Sequence, residues 1–424
     1  MSSAVPASHR KHLAMVLAAP FPAPRGTQAY VADLCQALIT RGHRVHLFCY
    51  AGVGESLGQL PVGLSLHRAA ALPGIDAVPG SAPTPARPAN DAALLARLIA
   101  TVPRLGPVLL HGHNHEGGLL AGLCGRILGR PVVYHVHSRL AEELPLWLGD
   151  RAHFVRRIGT FVDRLVPRLA DSVVTLDPEM AAEKRAFGAR HVVALPPGVR
   201  PTPSASVPVP PHPPTVVYAG NLDPYQDLPL GLAAVARLSR RLPRLRLRIL
   251  THDPPQAARR LACLHGVPAE RLEILRPEGW EALQAATRAA DVALVPRTTG
   301  GGYPIKLLNA LSCGVPVVTT LAASKGLGEE SGVLPADPTP EALAARLASV
   351  LAGPHSRREQ LRARALRFAS AHPWEAVAEA LEEVYRALDP VPGEHVLPPR
   401  PAACGPWRGG KGRAPRRRTG SSPT

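Results

Sequence analysis

The sequence predicts an α/β protein with two Rossmann-like, doubly wound domains that face one cleft. Short apolar strands alternate with amphipathic helices over residues 12–200, and a second alternating series begins at residue 215. Between the two series, residues 201–214 read PTPSASVPVPPHPP, a proline-rich linker without hydrophobic periodicity. The second series contains a strand, a loop with consecutive glycines, a helix and another strand, which is the βαβ pattern of such domains.

The N-terminal series begins with an apolar strand over residues 13–18, then a loop over residues 20–27, a helix and a second strand. Gly26 and Thr27 lie in that loop, at the carboxyl end of the first strand, where open parallel sheets bind ligands. Gly26 is not part of a GxGxxG pattern. A tight turn and a contact to a phosphate or an acceptor both remain open for it.

Histidines follow two neighbouring strands of this series, in the order His111, His113, His115, His135 and His137. Alternation in a strand places His111 and His113 on one face, and the same holds for His135 and His137. The sequence has no HExxH pair and no cysteine close to these histidines, so we predict no metal site. We expect the histidines to line a substrate cleft, with His137 as a donor to a sugar hydroxyl or a phosphate.

The C-terminal series predicts a domain over residues 215–372 with five strands. Its strands are expected at residues 215–219, 245–250, 272–275, 292–295 and 315–319. An amphipathic helix over residues 373–388 continues beyond the second sheet. Residues 389–424 are rich in Pro, Gly and Arg, and we expect a basic tail without fixed structure.

The glycine loop is the predicted place for an anion. The sequence has no Walker A or DxD pattern, which argues against a P-loop NTPase and a metal-bridged sugar diphosphate. A diphosphate would then be met by cationic side chains and helix N-termini. Arg297 and Lys306 flank the loop. Lys306 lies in a first helical turn, where the helix dipole disfavours a cation, and a bound diphosphate would explain its presence. Asn309 shares its helix face and suits ribose hydroxyls.

The formal net charge of +17 does not by itself identify a partner. It is compatible with nucleotide diphosphates, anionic lipid headgroups or nucleic acid, and part of it lies in the C-terminal tail. No segment is long and apolar enough to predict a membrane span. We expect a cytoplasmic protein without specific binding of nucleic acid. Peripheral contact with the inner membrane surface remains an open alternative.

The chain resembles retaining glycosyltransferases of family 4, which have the GT-B fold. The resemblance covers most of residues 12–388. It rests on the segments PFPAPRGTQAYVADLCQALITRGHRVHLF, VVYHVHS and VVALPPGV in the first half, and on VVYAGNLDPYQDLPLGLAAV and GGYPIKLLNALSCGVPVV in the second. It implies an acceptor-side N-terminal domain, a C-terminal domain that binds a nucleotide sugar, and a helix at 373–388 that crosses back. It also implies that no metal is required.

The donor site departs from the usual family pattern. The two glutamates of the family, eight positions apart, fall on Gly301 and Asn309. The Arg and Lys that the family places after the first strand of this domain fall near Asn221 and Gln226.

A subset of the family carries a PR…G…PxK pattern, and Pro296-Arg297 with Pro304 and Lys306 is similar to it. In that subset Lys306 takes over the diphosphate charge and Asn309 the ribose contact. His137 matches the family's active-site histidine, which touches the transferred sugar.

We therefore expect a metal-independent hexosyltransferase that moves a sugar from a nucleotide diphosphate sugar to a glycan, lipid or small-molecule acceptor. Configuration would be retained by front-face attack in a closed cleft, and no cofactor besides the donor substrate is expected. His137 and Lys306 are the expected catalytic residues. The expected substrate-binding residues are Gly26, Thr27, Asn221, Arg297, Gly301, Gly302, Tyr303 and Asn309. The departures leave a second hypothesis open, a degenerate GT-B protein that binds a nucleotide sugar or glycan without turnover.

Overall fold

Strands and helices alternate along almost the whole chain in the computed structural model. It describes residues 10–52, 60–75, 83–148, 152–200, 202, 212–299 and 302–389. The strands are β1 (His12–Leu17), β2 (Arg44–Cys49), β3 (Ser65–Arg68), β4 (Val108–His113), β5 (Val132–Val136), β6 (Ser172–Thr175), β7 (Val192–Ala194), β8 (Thr215–Ala219), β9 (Arg246–Leu250), β10 (Leu272–Leu275), β11 (Val292–Val295), β12 (Val317–Thr320) and β13 (Val333–Ala336). The α-helices are α1 (Gly26–Thr40), α2 (Arg87–Thr101), α3 (Asn114–Leu128), α4 (Leu140–Leu148), α5 (Ala152–Leu165), α6 (Pro178–Ala186), α7 (Leu228–Ser239), α8 (Pro255–Leu264), α9 (Gly279–Arg288), α10 (Ile305–Ser312), α11 (Leu321–Ser324), α12 (Pro340–Leu351), α13 (His355–Ala371) and α14 (Trp374–Arg386).

The strands form two parallel sheets. The first has the order β3-β2-β1-β4-β5-β6-β7, and the second has the order β10-β9-β8-β11-β12-β13. In each sheet the strand order reverses once, between β1 and β4 and between β8 and β11. Ligands bind in the crevice that opens outside the strand ends at such a reversal. The fold therefore directs attention to the loops after β1, β4, β8 and β11.

Both faces of the central strands are covered, which explains why they are apolar without alternation. All side chains of β11 and β12 are buried, as are those of β4 and β5. Helices on the two sides of each sheet supply the cover. For example, α1 contributes Tyr30, Leu34 and Leu38 to the same core cluster as Leu13 and Met15 of β1.

The last helix returns to the first sheet, as the sequence predicts for GT-B proteins. Trp374 and Tyr385 of α14 belong to the core cluster of β1 and α1. Glu382 accepts a hydrogen bond of 2.8 Å from Nη2 of Arg41 and lies 3.1 Å from Nε2 of His43. This buried carboxylate is an anchor for α14, because removing one partner of a buried ion pair leaves a charge without compensation.

The helix after the glycine loop carries Lys306 in its first turn, as predicted. Helix α10 begins at Ile305, and Pro304 is its N-cap residue. The helix ends at Ser312, and Gly314 follows with a φ of +68°, a conformation that favours glycine. Gly301, most of the linker at 201–214 and residues 390–424 lie outside the described residues. The domain boundaries therefore stay predictions.

Candidate active site

A cavity of about 570 Å³ lies between the carboxyl ends of the two sheets. Its first wall comes from the loop after β1, the ends of β4 and β5, and the start of α4. Its second wall comes from the loops after β8, β9 and β11 and from the first turns of α10. The site is thus assembled at the two places where the strand order reverses.

Lys306 is held in the second wall by neutral groups. Its Nζ lies 3.1 Å from the hydroxyl of Tyr218 and 2.6 Å from Oε1 of Gln226, and it lies 4.4 Å from the centre of the Tyr218 ring. Burial, together with the nearby Arg297, lowers the pKa of Lys306 to about 7, and Asp223 opposes the shift. Desolvation disfavours the charged form of the amine. An anion that binds beside it would have the opposite effect and favour the protonated form.

The space for Lys306 depends on Gly220, directly after β8. A Cβ at Gly220 would lie 2.6 Å from Nζ of Lys306, and the residue has a φ of +155°. A side chain at this position would push the amine out of its place, so the glycine and the lysine form one arrangement.

Arg297 follows β11 and is 5% exposed. Its guanidinium lies 5.1 Å from the centre of the Tyr225 ring, and its Nε donates a hydrogen bond of 3.3 Å to Oγ1 of Thr299. Nη2 of Arg297 is buried and has no hydrogen-bond partner within the described residues. A buried donor without a partner is costly, which makes this nitrogen available to a ligand in the cavity.

Asn309, Tyr303 and Asn221 also line the cavity. Asn309 lies on the same side of α10 as Lys306, as its spacing predicts. The amide of Asn221 is already engaged, because its Nδ2 donates to Asp223 at 2.8 Å and its Oδ1 accepts from Gln226 at 2.9 Å. Burial raises the pKa of Tyr303 to about 12, so its hydroxyl stays protonated at neutral pH.

The glycine loop reaches the opposite wall of the cleft. Gly302 forms an isolated antiparallel bridge with Ser138, and a Cβ on Gly302 would lie 2.6 Å from the carbonyl oxygen of His137. A glycine is needed where two backbones approach this closely. The structure therefore brings Gly302 to His137, whereas its neighbour Gly301 lies outside the described residues.

Four histidines form a two-by-two arrangement on one face of the first sheet. His113 is paired with His135 in the β4–β5 register, and rings of neighbouring histidines lie 4.6–5.4 Å apart. His111 Nε2 lies 3.2 Å from His135 Nδ1, and His113 Nδ1 lies 3.1 Å from His137 Nε2. The alternation of the two strands produces this grid.

Two tyrosines complete the first histidine pair. Tyr385 of α14 lies 2.8 Å from Nδ1 of His111, and Tyr30 of α1 lies 3.1 Å from Nε2 of His135. His111 and His135 are fully buried and are absent from the cavity wall, so the expectation that they line a cleft is wrong. Tyr385 of the returning helix covers His111 and Tyr30 of α1 covers His135, which no local pattern indicates.

His113, His115 and His137 do line the cavity. Burial lowers the pKa of His137 to about 3, with His111 and His115 adding to the effect. Burial also lowers the pKa of His113 well below its usual value. The imidazole of His137 is consequently neutral at physiological pH, with one nitrogen that donates and one that accepts.

The histidine grid has the atoms that a metal would need. Nitrogens of His111, His113 and His135 all lie within 4.8 Å of one another. Three imidazoles are a common donor set for zinc. The nitrogens of His111 and His135 already form a hydrogen-bonded chain with the two tyrosines, and the absence of a metal site stays a prediction.

Gly26 and Thr27 open α1 and line the cavity. A Cβ built on Gly26 meets nothing within 4 Å and its φ is not positive, so neither a tight turn nor close packing requires the glycine. Oγ1 of Thr27 lies 3.5 Å from Nδ2 of Asn114. Both residues border open space at the N-terminus of a helix.

Charged residues that no motif indicated join the two walls. Arg25 donates to Asp223 at 3.2 Å and to Asp253 at 3.3 Å, which pairs the loop after β1 with the loops after β8 and β9. Glu143 of α4 also lines the cavity, and burial raises its pKa against the opposing effects of Arg297 and His115. These contacts join distant parts of the chain, so the sequence carries no signal for them.

Two parallel Rossmann-like sheets, a cleft between their carboxyl ends and a helix that crosses back define the GT-B fold. The chain has this fold. The family model described as Glycosyltransferase Family 4 matches residues 24–203, and the model described as Glycosyl transferases group 1 matches residues 213–353. Together the two models cover most of the chain, and they identify it as a glycosyltransferase with the GT-B fold.

Among curated relatives, the chain is similar to a D-inositol 3-phosphate glycosyltransferase from Geodermatophilus obscurus. The two are 29% identical over 85% of this chain and 84% of the relative. It is also 28% identical to the phosphatidyl-myo-inositol mannosyltransferase of Mycobacterium tuberculosis, over 89% of this chain and 97% of that protein.

Solved structures agree with the fold. Sucrose-phosphate synthase from Thermosynechococcus elongatus matches with a TM-score of 0.70 at 20% identity, over 89% of this chain and 99% of that one. WaaG, a glycosyltransferase involved in lipopolysaccharide biosynthesis, matches with a TM-score of 0.64 at 17% identity, over 88% and 99%. Anabaena HepE, solved with UDP-glucose, matches with a TM-score of 0.65 at 15% identity, over 89% of this chain and all of that one. Within the described residues, no helix has the length and apolarity to cross a membrane.

Proposed function

We propose that this chain transfers a sugar from a nucleotide diphosphate sugar to a glycan, lipid or small-molecule acceptor, with retention of configuration and without a metal ion. The observation that carries the proposal is the pair of cations in the second wall. Lys306 is held by neutral partners, and Nη2 of Arg297 has no hydrogen-bond partner in the described part of the chain. Neither side chain forms an ion pair there, so both charges are available to an anion.

The diphosphate leaving group would be bound by these two cations. Its charge grows as the bond to the sugar breaks, so donors that are already in place stabilise the transition state more than the ground state. Lys306 acts as a compact charge and Arg297 as a planar donor, and both are partly shielded from water. Asn309, one helical turn from Lys306, is placed for the ribose hydroxyls.

His137 would face the transferred sugar from the first wall. Its imidazole is neutral, because burial lowers its pKa to about 3. A neutral imidazole can donate to or accept from a sugar hydroxyl without placing a charge beside the anomeric carbon. The contact between Gly302 and the backbone of His137 supports a closed cleft in which the two walls act on one substrate.

Retention and independence of metal rest on the resemblance to the family and on the residues that replace its acids. Gly301 and Asn309 stand where relatives have glutamates, and Pro296-Arg297 with Pro304 and Lys306 is similar to the PR…G…PxK subset. Cationic side chains, rather than a bridging metal held by a DxD pattern, would neutralise the diphosphate. The names of relatives support an acceptor that is an inositol phosphate or an inositol lipid.

The test is a screen of UDP-, GDP-, ADP- and dTDP-sugars by thermal shift, in the presence of EDTA, followed by product analysis. We expect one donor class to raise the melting temperature and to release its nucleoside diphosphate when an inositol phosphate or inositol lipid is added. The anomeric configuration of the product is read by NMR. Stabilisation without nucleotide release would instead support a protein that binds the sugar nucleotide without turnover.

A further inference from the structure

Helix α5 carries two apolar stripes, of which folding explains only one. Val155 is buried, and Val162, on the same side, packs against the core of the first domain; Val166, in the 3-10 turn that follows the helix, is also buried there. A second stripe has the spacing i, i+4, i+7, i+11 and points outward. Its members are Phe154, Ile158, Phe161 and Leu165, all exposed. A surface helix of a soluble domain needs one apolar stripe, so the second requires another explanation.

Helix α4 extends this exposed apolar surface. Leu146 and Leu148 are exposed as well, and α4 packs directly on α5. Half of the twelve exposed large apolar side chains in the described residues therefore lie on these two helices. Phe154 and Phe161 are 66% and 64% exposed, which is unusual for isolated aromatic residues and indicates an interaction surface. We call these six side chains of α4 and α5 the docking face.

The charged residues of α5 that border the docking face are basic, and on α4 the carboxylate of Glu142 lies 3.6 Å from Arg139. Arg156, Arg157 and Arg164 are exposed on α5, and Arg157 and Arg164 border the outward stripe. The helix has a single acidic residue, Asp163, which is buried and lies 3.0 Å from His115 and 3.4 Å from Lys184. No negative charge on α5 therefore faces the same side as the apolar stripe.

We propose that the docking face binds an anionic lipid bilayer surface. A helix with an exposed apolar stripe, bordering cations and no exposed acid lies in the headgroup region, with its apolar side chains inserted and its cations near lipid phosphates. A second copy of this chain fits less well, because a symmetric contact would place the arginines of one copy against those of the other. The net charge of +17 favours the same anionic partner.

The docking face lies next to the cleft. Helix α4 contributes Leu140 and Glu143 to the cavity wall and Leu146 and Leu148 to the docking face. A docked chain would hold the first wall of the cleft beside the lipid headgroups, where a lipid-linked acceptor lies. This last point rests on the proposed function, whereas the binding of the bilayer does not.

The test is flotation of the full chain, without any sugar donor, with vesicles of phosphatidylcholine alone or mixed with phosphatidylglycerol. We expect binding to the anionic vesicles and a loss of about tenfold or more in the double variant Arg157→Glu/Phe161→Ser, which removes an inserted ring and reverses a charge. The matched control is Arg260→Glu/Leu264→Ser on α8, which has the same spacing and is also exposed. It should bind like the unmodified chain, and thermal unfolding checks that both variants are folded.

Trp147 of α4 lies between Leu146 and Leu148 and reports insertion directly. Its fluorescence should be quenched by brominated lipid, and this quenching should disappear in Trp147→Phe. Equal vesicle binding by the two double variants would overturn the proposal, as would binding that salt abolishes and that causes no quenching, since other basic segments would then account for it. A lipid-free dimer that only Arg157→Glu/Phe161→Ser dissociates would assign the docking face to a second copy and also overturn it.

Discussion

The two walls of the cleft differ in the electrostatic state of their buried polar groups. The first wall presents His113 and His137, neutral imidazoles that hydrogen-bond to each other at 3.1 Å. The second wall presents Lys306 and Arg297, two cations that lie over tyrosine rings. Both walls come from parallel sheets of the same architecture, so the fold does not decide the difference.

The difference assigns a substrate part to each wall. A diphosphate is stabilised by cations that form no ion pair within the described residues, whereas an uncharged sugar is matched by neutral donors and acceptors. Asp223 and Asp253 pair with Arg25 from the opposite wall, so the acids near the second wall compensate its charge only in part. These ion pairs also join the walls, so the charge pattern and the closed cleft depend on the same residues.

The largest expected effect follows from removing the amine of the second wall. Lys306→Ala should lower kcat/KM for transfer by about 10²–10³-fold, which is typical for loss of a charged transition-state donor. Lys11→Ala, outside the cavity, is the control and should leave transfer unchanged. Full activity of Lys306→Ala with every accepted donor would remove the cationic wall from the mechanism.

On the first wall the expected loss is smaller, because a neutral hydrogen bond is replaced. His137→Ala should lower kcat/KM by about 10-fold, equivalent to about 1.4 kcal/mol, with little change in the affinity for the free nucleoside diphosphate. Steady-state kinetics and calorimetric titration with the nucleotide separate the two quantities. If His137→Ala weakened nucleotide binding as strongly as Lys306→Ala, the division between the walls would be incorrect.

The pH dependence of donor binding should also distinguish the walls. The free amine of Lys306 has a pKa of about 7, and a bound diphosphate raises it, so binding takes up a proton above that pH. Affinity should therefore be constant below about pH 7 and fall as pH rises, by at most about tenfold per pH unit. His137, with a pKa of about 3, contributes no step between pH 5 and 8.

Titration calorimetry of the unmodified chain measures the dependence of donor affinity on pH, and Lys306→Arg should flatten it. A fall in affinity as pH decreases from 7 would contradict this assignment.

The smallest expected effects come from a matched pair of tyrosine variants. Tyr30→Phe removes the hydroxyl beside His135 Nε2 and should lower the free energy of unfolding by about 1 kcal/mol, with transfer preserved. Tyr218→Phe removes the hydroxyl beside Lys306 Nζ. It should change the affinity for the donor several-fold and also change the pH dependence of that affinity. Chemical denaturation and calorimetry measure both, and identical behaviour of the two variants would mean that the walls do not differ as described.

The local parts of this structure could be predicted from the sequence. Apolar periodicity and glycine positions specify strands and helices over short spans, so β11, α10 and β12 were placed to within a few residues. The placement of Lys306 and Asn309 on one side of α10 follows from helical spacing alone, and both line the cavity. The amphipathic helix after residue 373 was also predicted from its periodicity, whereas its return to the first sheet, which is confirmed, followed from the resemblance to the family.

Partners that are distant in the chain could not be predicted in this way. Lys306 meets Tyr218 across 88 positions, and Arg25 meets Asp223 across 198. These contacts exist only because two sheets pack with their carboxyl ends towards each other.

The sequence by itself determined the two βα series, the cationic helix start and the alternating histidines, because each is encoded within one or two neighbouring elements. Only the tertiary structure decided which groups became buried and with what charge. It placed His111 against Tyr385 of α14 and His135 against Tyr30 of α1. It also surrounded Lys306 with neutral oxygens and left the outer stripe of α5 uncovered. The physical reason is that desolvation and pairing depend on atoms brought from elsewhere in the chain, and these set the pKa and the availability of each group.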